Sequence, residues 1–228
     1  MTPTPESEPD EALREELGRE DVRLETAPPL SVLNWAFRRF GSGAVLACSF
    51  EDVALLHMAR SIRPSLEVVF LDTGGHFPET LEFVERLERE WSLRVTRTTP
   101  PPEAESWPCG TARCCELRKV EPLSRLLRGR TAWITAVKRV DAPTRDDAPV
   151  VGWDRRFSLV KVNPLATWTD DDVAYYLASH RLPRHPLWDE GYGSIGCAEM
   201  TQRPRPGEGR RSGRWVGLAK DECGLHEA

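Results

Sequence analysis

The sequence has no apolar run near the ~18 residues that a membrane span needs. Its opening, MTPTPESEPDEALREELGREDV, also lacks the charged-then-apolar order of a secretory signal. No membrane partner and a cytoplasmic location are therefore expected. Although 16 Gly and 19 Pro occur in 228 residues, no repeat accompanies them, which excludes collagen-like and low-complexity architecture. A broad basic field, the footprint of a nucleic-acid binder, is missing too, so no nucleic-acid partner is expected. The net charge of −5 arises in the first 22 residues, where eight acids face two arginines; the rest of the chain is close to neutral.

The chain is long enough, at 39% hydrophobic residues, for one domain with a sizeable core. Strand-like and helix-like segments alternate. GAVLACSF (43–50), LEVVFLD (66–72) and LRVTRTT (93–99) read as strands, with helical spacing in EDVALLHMARSI (51–62) and again after Pro78. A helix is expected from Arg113 to Leu127, strand patterns return at 131–139 and 157–165, and Thr169 with Asp172 forms a capping-box start for a further helix. This order implies an α/β fold with a mostly parallel sheet and helices on both faces. Residues 1–29 read as an acidic, disordered or loosely helical leader, residues 30–202 as the nucleotide-binding domain, and residues 203–228 as an arginine-rich loop with a mobile tail.

In such sheets ligands bind beyond the carboxyl ends of the strands. Ser49 and Asp52 follow the first strand, where backbone N–H groups suit an anion; Asp72, Thr73 and Gly74 end the second, where a base or ribose fits. Helix capping is the alternative reading of Ser49 and Asp52. Arg203, Arg205, Arg210, Arg211 and Arg214 lie within twelve residues, and guanidinium forks match phosphate and sulfate oxygens; a solvated basic loop is the alternative.

The six cysteines are Cys48, Cys109, Cys114, Cys115, Cys197 and Cys223. An even count fits a disulfide framework only in small secreted scaffolds. Adjacent Cys114 and Cys115 point about 100° apart on a helix, which suits a single zinc poorly and a multi-iron cluster better, with Cys197 as a third ligand. Buried thiols without metal remain the alternative. Cys223 lies in a short polar tail beside a glycine and a histidine, where cationic neighbours would favour its thiolate.

Together FLDTGGHFPET, CCELRKVEPL, WITAVKRVDAPTR, LVKVNPLATWTDDDV, GYGSIGC, RRSGRW and KDECGLH resemble the assimilatory sulfonucleotide reductases, specifically the bacterial iron–sulfur adenylylsulfate (APS) reductases, over about residues 30–227. The resemblance implies a Rossmann-like adenine nucleotide α-hydrolase-like fold, with a modified phosphate loop reading CSFED. It implies Cys223 as nucleophile, forming an S-sulfocysteine from adenosine 5′-phosphosulfate, with thioredoxin or a glutaredoxin-like dithiol as reductant. Lys119, Arg211, Arg214 and His226 match the family's phosphosulfate-binding positions. Cys114, Cys115 and Cys197 match ligands of a 4Fe–4S cluster, and self-association is common in the family.

One departure stands out. The family's later Cys-x-x-Cys here reads Cys197-Ala198-Glu199-Met200, so a thioether replaces the fourth thiolate. Three outcomes are open: a cluster with one weakly held iron, a substitute ligand such as Cys109 or Glu199, or no stable cluster. Labile iron, improved by Met200→Cys, is the expectation. Gly75 replaces a common aromatic. Two other functions compete: reduction of the 3′-phosphorylated nucleotide (PAPS), and nucleotide binding without catalysis.

Overall fold

The computed structural model describes residues 8–220 and 222–226. The first seven residues of the expected leader and the last two of the expected tail lie outside that set.

Three short strands, β1 (Ala44–Ala47), β2 (Glu67–Leu71) and β4 (Ala132–Ile134), are apolar on both faces, as strands covered from both sides must be. Alternation along them divides the core. Leu46, Val68, Phe70, Ala132 and Ile134 face one layer of helices, whereas Val45, Val69 and Trp133 face the other with Leu123 and Leu127. With β3 (Arg94–Thr98), β5 (Val151–Asp154) and β6 (Leu159–Val162) they form a six-stranded sheet in the order β3-β2-β1-β4-β6-β5. All neighbours are parallel except the β5–β6 pair at one edge. The chain leaves β1 toward β2 and β3, then returns to the opposite side with β4. That reversal opens a crevice at the carboxyl ends of β1 and β4, the place where α/β sheets bind ligands.

The first layer comprises α2 (Pro29–Phe40), α3 (Ala54–Ile62), α4 (Pro78–Trp91) and α7 (Asp170–Ser179). Prolines at the starts of α2 and α4 suit first-turn positions, and Thr169 with Asp172 forms the expected capping box. On the second face the helix expected over 113–127 is broken in character: α5 (Ala112–Cys115) and α6 (Glu121–Leu127) flank a π-helical turn at Glu116–Val120. Pro122 explains the widening, because it has no N–H to donate to the preceding turn.

The leader requires a correction. Residues 11–24, expected to be disordered or loosely helical, form a regular helix, α1 (Glu11–Leu24), capped by the Asp10 side chain. Glu11 and Glu15 face solvent, while Leu17 and Leu24 are buried and the Asp21 carboxylate accepts from Val151 N (3.0 Å) at the edge strand β5. Composition suggested disorder because only two leucines carry the packing.

After α7 the chain is irregular, as its lack of periodicity implies, apart from the one-turn helix α8 (Pro186–Asp189) and a 3₁₀ turn at Ala198–Met200. His185 caps α8: its Nδ1 accepts from Leu187 N (3.2 Å), which leaves Nε2–H to donate to Thr80 Oγ1 (2.9 Å). Burial lowers the His185 pKa to about 4. Since the unfolded value is near 6.5, the folded state resists a proton that the unfolded state accepts. Stability is therefore complete above about pH 6.5 and falls as pH drops toward 4, by roughly 3 kcal/mol from this group. Denaturant titrations across that window should show a shallower decline for His185→Asn, which keeps a capping side chain; matching slopes would contradict the assignment.

Candidate active site

The crevice beyond β1 and β4 is lined by Ser49 and Asp52 from the β1 end, Thr73 from the β2 end, and Lys119 from the π-helical turn, and closed by Arg211, Arg214, Cys223 and His226 from the C-terminal segment. The CSFED loop takes its shape from Phe50, whose φ is +58° and whose buried ring meets Phe70 edge-on at 5.6 Å. Asp52 Oδ1 accepts from Ala54 N (3.1 Å) and Ser49 Oγ from Glu51 N (3.4 Å), local turn contacts ahead of α3, whose N-cap is Val53; both residues also face the crevice. Burial raises the Asp52 pKa against the pull of Lys138, and it pushes the Cys48 thiol up to about 12. Cys48 therefore stays protonated and is no nucleophile.

Asp72 and Gly74 do not line the crevice. Asp72 Oδ1 accepts from Gly74 N (3.0 Å), stabilising a turn in which Gly74 adopts φ +65°. Thr73 O accepts from Arg118 Nη1 (2.5 Å), and Gly75 O accepts from Ala198 N (2.7 Å). The turn thus docks the loop carrying Cys197, whose Sγ lies 3.8 Å from Thr73 Oγ1. With only a hydrogen at Gly75, Cys197 Cβ comes within 3.9 Å of where a side chain would start.

Cations are divided between structure and site. Arg210 is spent on structure, pairing with Asp170 (2.6 Å), Asp141 (3.2 Å) and Glu51. Exposed Arg203 pairs with Glu190 (3.0 Å), away from the crevice lining. Arg214 lies over the Trp215 ring at 4.4 Å and against Gly196, where a Cβ would sit 2.1 Å from its Nη2; its buried Nε has no hydrogen-bond partner. Gly196 is therefore the residue that lets the guanidinium reach the crevice. Lys119 is buried; burial opposes its charge, yet attraction from Cys223, Cys197 and Cys115 holds its pKa above the ordinary lysine value.

The tail is docked. Arg145 clamps the Glu222 carboxylate with two hydrogen bonds (2.6 and 2.8 Å), and Arg156 Nη1 donates to Gly224 O (2.8 Å). Leu225 packs on the second core layer, and His226 stacks on Trp133 with ring centroids 5.7 Å apart. Burial and the charges of Lys161, Arg145, Arg211 and Lys119 push the His226 pKa well below its usual value, so the imidazole is neutral; its Nδ1 has no hydrogen-bond partner. Sequence reasoning assigned no role to Arg145, Glu222 or Lys138. The spacing of Lys138, Asp141 and Arg145 carried the signal: both cations bond Asp141, at 3.0 and 3.2 Å. Burial opposes the Asp141 charge, but Lys138, Arg210 and Arg145 together hold its pKa below the carboxylate norm.

All six cysteines are free, and Cys114, Cys115 and Cys197 are buried. Thr111 caps α5 through Cys114 N (3.2 Å), and Lys220 Nζ contacts Cys115 Sγ (3.0 Å). Interaction between the Cys109 and Cys197 thiols holds Cys197 below the ordinary thiol range and Cys109 above it.

The sheet order and the crevice at its switch point define a Rossmann-like fold of the adenine nucleotide α-hydrolase-like type. The phosphate-bound PAPS reductase of Candida auris superposes with a TM-score of 0.73 at 24% identity, covering 87% of this chain and 100% of that one. The Candida glabrata FMN adenylyltransferase bound to FAD and pyrophosphate gives 0.61 at 16% identity, over 88% and 69% of the two chains. The family model described as phosphoadenosine phosphosulfate reductase domain matches residues 43–203. Adenosine 5′-phosphosulfate reductases of Mycolicibacterium smegmatis and Rhodococcus opacus are 42% and 41% identical over 94% of each chain. This chain belongs to the phosphoadenosine phosphosulfate reductase family, and it is an oxidoreductase.

Removing one partner of a buried ion pair costs several kcal/mol, and about 1.4 kcal/mol is a factor of ten. Glu222→Gln is thus expected to raise the alkylation rate of Cys223 by about tenfold or more, followed by mass spectrometry of the tail peptide. An unchanged rate would show that the Arg145 clamp does not hold the tail.

Proposed function

We propose that this chain reduces adenosine 5′-phosphosulfate to sulfite and AMP in sulfate assimilation. The observation that carries the proposal is the seating of Cys223 in a nucleotide-class crevice beside Lys119, Arg211, Arg214 and His226. The Cys223 thiolate attacks the sulfate sulfur, an S–S bond forms, and the S–O bond to the phosphate breaks. AMP leaves with the electron pair, and Cys223 becomes an S-sulfocysteine. A thiolate of thioredoxin or a glutaredoxin-like dithiol then attacks Cys223 Sγ and expels sulfite. Its second thiol resolves the mixed disulfide and returns Cys223 to the thiol form.

Each cation has a task in that sequence. Attraction to Cys223 is the leading influence that keeps buried Lys119 protonated. Arg214 Nε and His226 Nδ1, both buried without partners, suit oxygens of the phosphosulfate. Lys119, Arg211 and Arg214 together offset the repulsion between a thiolate and a sulfur ringed by negative oxygens. Ser49 and Thr73 lie where the nucleotide enters, and Asp52, Asp72 and Gly74 shape the turns around it. The docked tail protects the thiolate during attack, so reaction with a protein dithiol requires it to lift away. Free thiols throughout the chain suit a reducing, cytoplasmic setting.

The donor chemistry also suits a 4Fe–4S cluster held by Cys114, Cys115 and Cys197. Among the described residues no three His, Cys, Asp or Glu side chains close on a single point, as one ion would need. A cluster asks instead for thiolates spread around it, each on its own iron. Here the thiols of Cys114 and Cys115 in α5 and of Cys197 in the turn after Gly196 are buried, with Lys119 and Lys220 available to balance their charge. Bound there, the cluster supplies a fixed charge near the crevice and a cross-link between α5 and the Cys197 loop.

Cys223→Ser is expected to cut sulfite release by a factor on the order of 10³ or more while leaving AMP binding intact, measured by sulfite assay and calorimetry. Lys119→Ala should lower kcat/KM for the same substrate by about 10²-fold or more. Full activity in the serine variant would overturn the mechanism, and a preference for PAPS over the unphosphorylated nucleotide would overturn the substrate.

A further inference from the structure

A thiol that meets first a sheltered nucleotide and then a protein dithiol needs a tail with one free end and one fixed end. The contacts of Glu222, Gly224, Leu225 and His226 are the ones that docking makes and lifting breaks. Upstream of them, residues 214–220 are tied to other parts of the fold. Arg214 and Thr201 form an isolated antiparallel bridge, and buried Trp215 donates its N–H to Met200 O (3.0 Å). Leu218 N then donates to Trp215 O (2.9 Å), and Lys220 N to Leu218 O (2.9 Å), so the segment winds through tight turns.

Lys220 fastens the end of this segment. Its Nζ donates to Gly110 O (2.9 Å), contacts Cys115 Sγ (3.0 Å) and lies 5.8 Å from the centroid of the Trp215 ring. One ammonium therefore joins the C-terminal segment to α5 and to the loop before it. That loop is itself held firmly. Gly110 has φ +89°, and a Cβ there would lie 2.6 Å from Met200 Sδ and 2.9 Å from Leu218 Cδ1, so only glycine allows the approach. Next to it, Thr111 Oγ1 donates to Pro108 O (2.9 Å) and accepts from Cys114 N (3.2 Å). The carbonyl that Lys220 grips is thus braced from both sides.

We propose that Lys220 is a positioning residue, the pivot of the catalytic tail, which stays on Gly110 O and Cys115 while the chain beyond it swings between crevice and reductant. The proposal rests on the reading of Cys223 given above, in which one thiol meets both partners. The Arg145–Glu222 pair opens in each turnover, whereas the contacts of Lys220 persist. A pivot at this point sets a short radius. Cys223 is three positions beyond Lys220, so a fully extended chain carries it about 10 Å from that residue at most. The reductant must therefore bring its dithiol to the surface beside Lys220, and the tail returns to the crevice from a fixed origin.

Hydrogen exchange read by mass spectrometry tests the pivot on the full-length protein, using peptides that separate residues 214–220 from the segment carrying Cys223. In Glu222→Gln, exchange in the Cys223 segment should rise about tenfold or more, while residues 214–220 keep the parent rate. Lys220→Met should raise exchange over 214–220 by about fivefold or more, and Lys220→Arg, which still donates to Gly110 O, should restore the slow rate. The two half-reactions give a second readout. In a single turnover Lys220→Met should slow S-sulfocysteine formation by about fivefold or more, yet leave dithiol-driven sulfite release from the preformed adduct at the parent rate. A general loss of stability would slow both steps. Faster exchange over 214–220 in Glu222→Gln, parent-like exchange in Lys220→Met, no restoration by arginine, or equal slowing of the two half-reactions would each overturn the pivot. Sulfite release by the parent keeps the two readings apart. An inactive parent with the expected exchange pattern would remove the reductase and leave the pivot, whereas an active parent without that pattern would do the reverse.

Discussion

The bidentate pair between Arg145 and Glu222 (2.6 and 2.8 Å) anchors the described tail, residues 222–226. Both side chains are nearly inaccessible to water, so neither charge tolerates the loss of the other. Because Glu222 adjoins Cys223, the clamp places the thiol at the crevice, and Arg156, Leu225 and the His226–Trp133 stack hold the remaining tail to the sheet. The clamp in turn depends on Asp141, which bonds Arg145, Lys138 and Arg210 at once. One buried carboxylate thus anchors three cations, while Lys119 and Arg214 are arranged around the crevice.

This division explains how a family member with a net negative charge can bind a multiply anionic substrate. The acids of α1 lie outside the crevice lining, whereas local cations determine the field in the crevice. A thiolate and a sulfonucleotide repel each other in water. In a crevice with buried ammonium and guanidinium groups the same pair can meet, because screening by solvent is reduced where the charges matter.

The strand–helix alternation was legible because each central strand is buried on both faces and each covering helix has one apolar side. Motif residues Lys119, Arg211, Arg214, Cys223 and His226, far apart in the chain, line one crevice. Asp72 and Gly74 were less legible, since a turn-forming Asp-Thr-Gly and a ligand-facing one look alike until the Asp72–Gly74 hydrogen bond is seen. The helix α1 was hidden by its acids, and the π-helical turn by a regular apolar spacing that Pro122 disrupts.

The central claim, that Cys223 carries the sulfonate between substrate and reductant, is tested most directly by a single turnover without any dithiol. Protein is mixed with adenosine 5′-phosphosulfate labelled at sulfur, and its peptides are mapped. The account requires label on the peptide containing Cys223, AMP released in equal amount, and labelled sulfite set free when a dithiol is added. Sulfite formation with no covalent label on Cys223, or label on another cysteine, would contradict it.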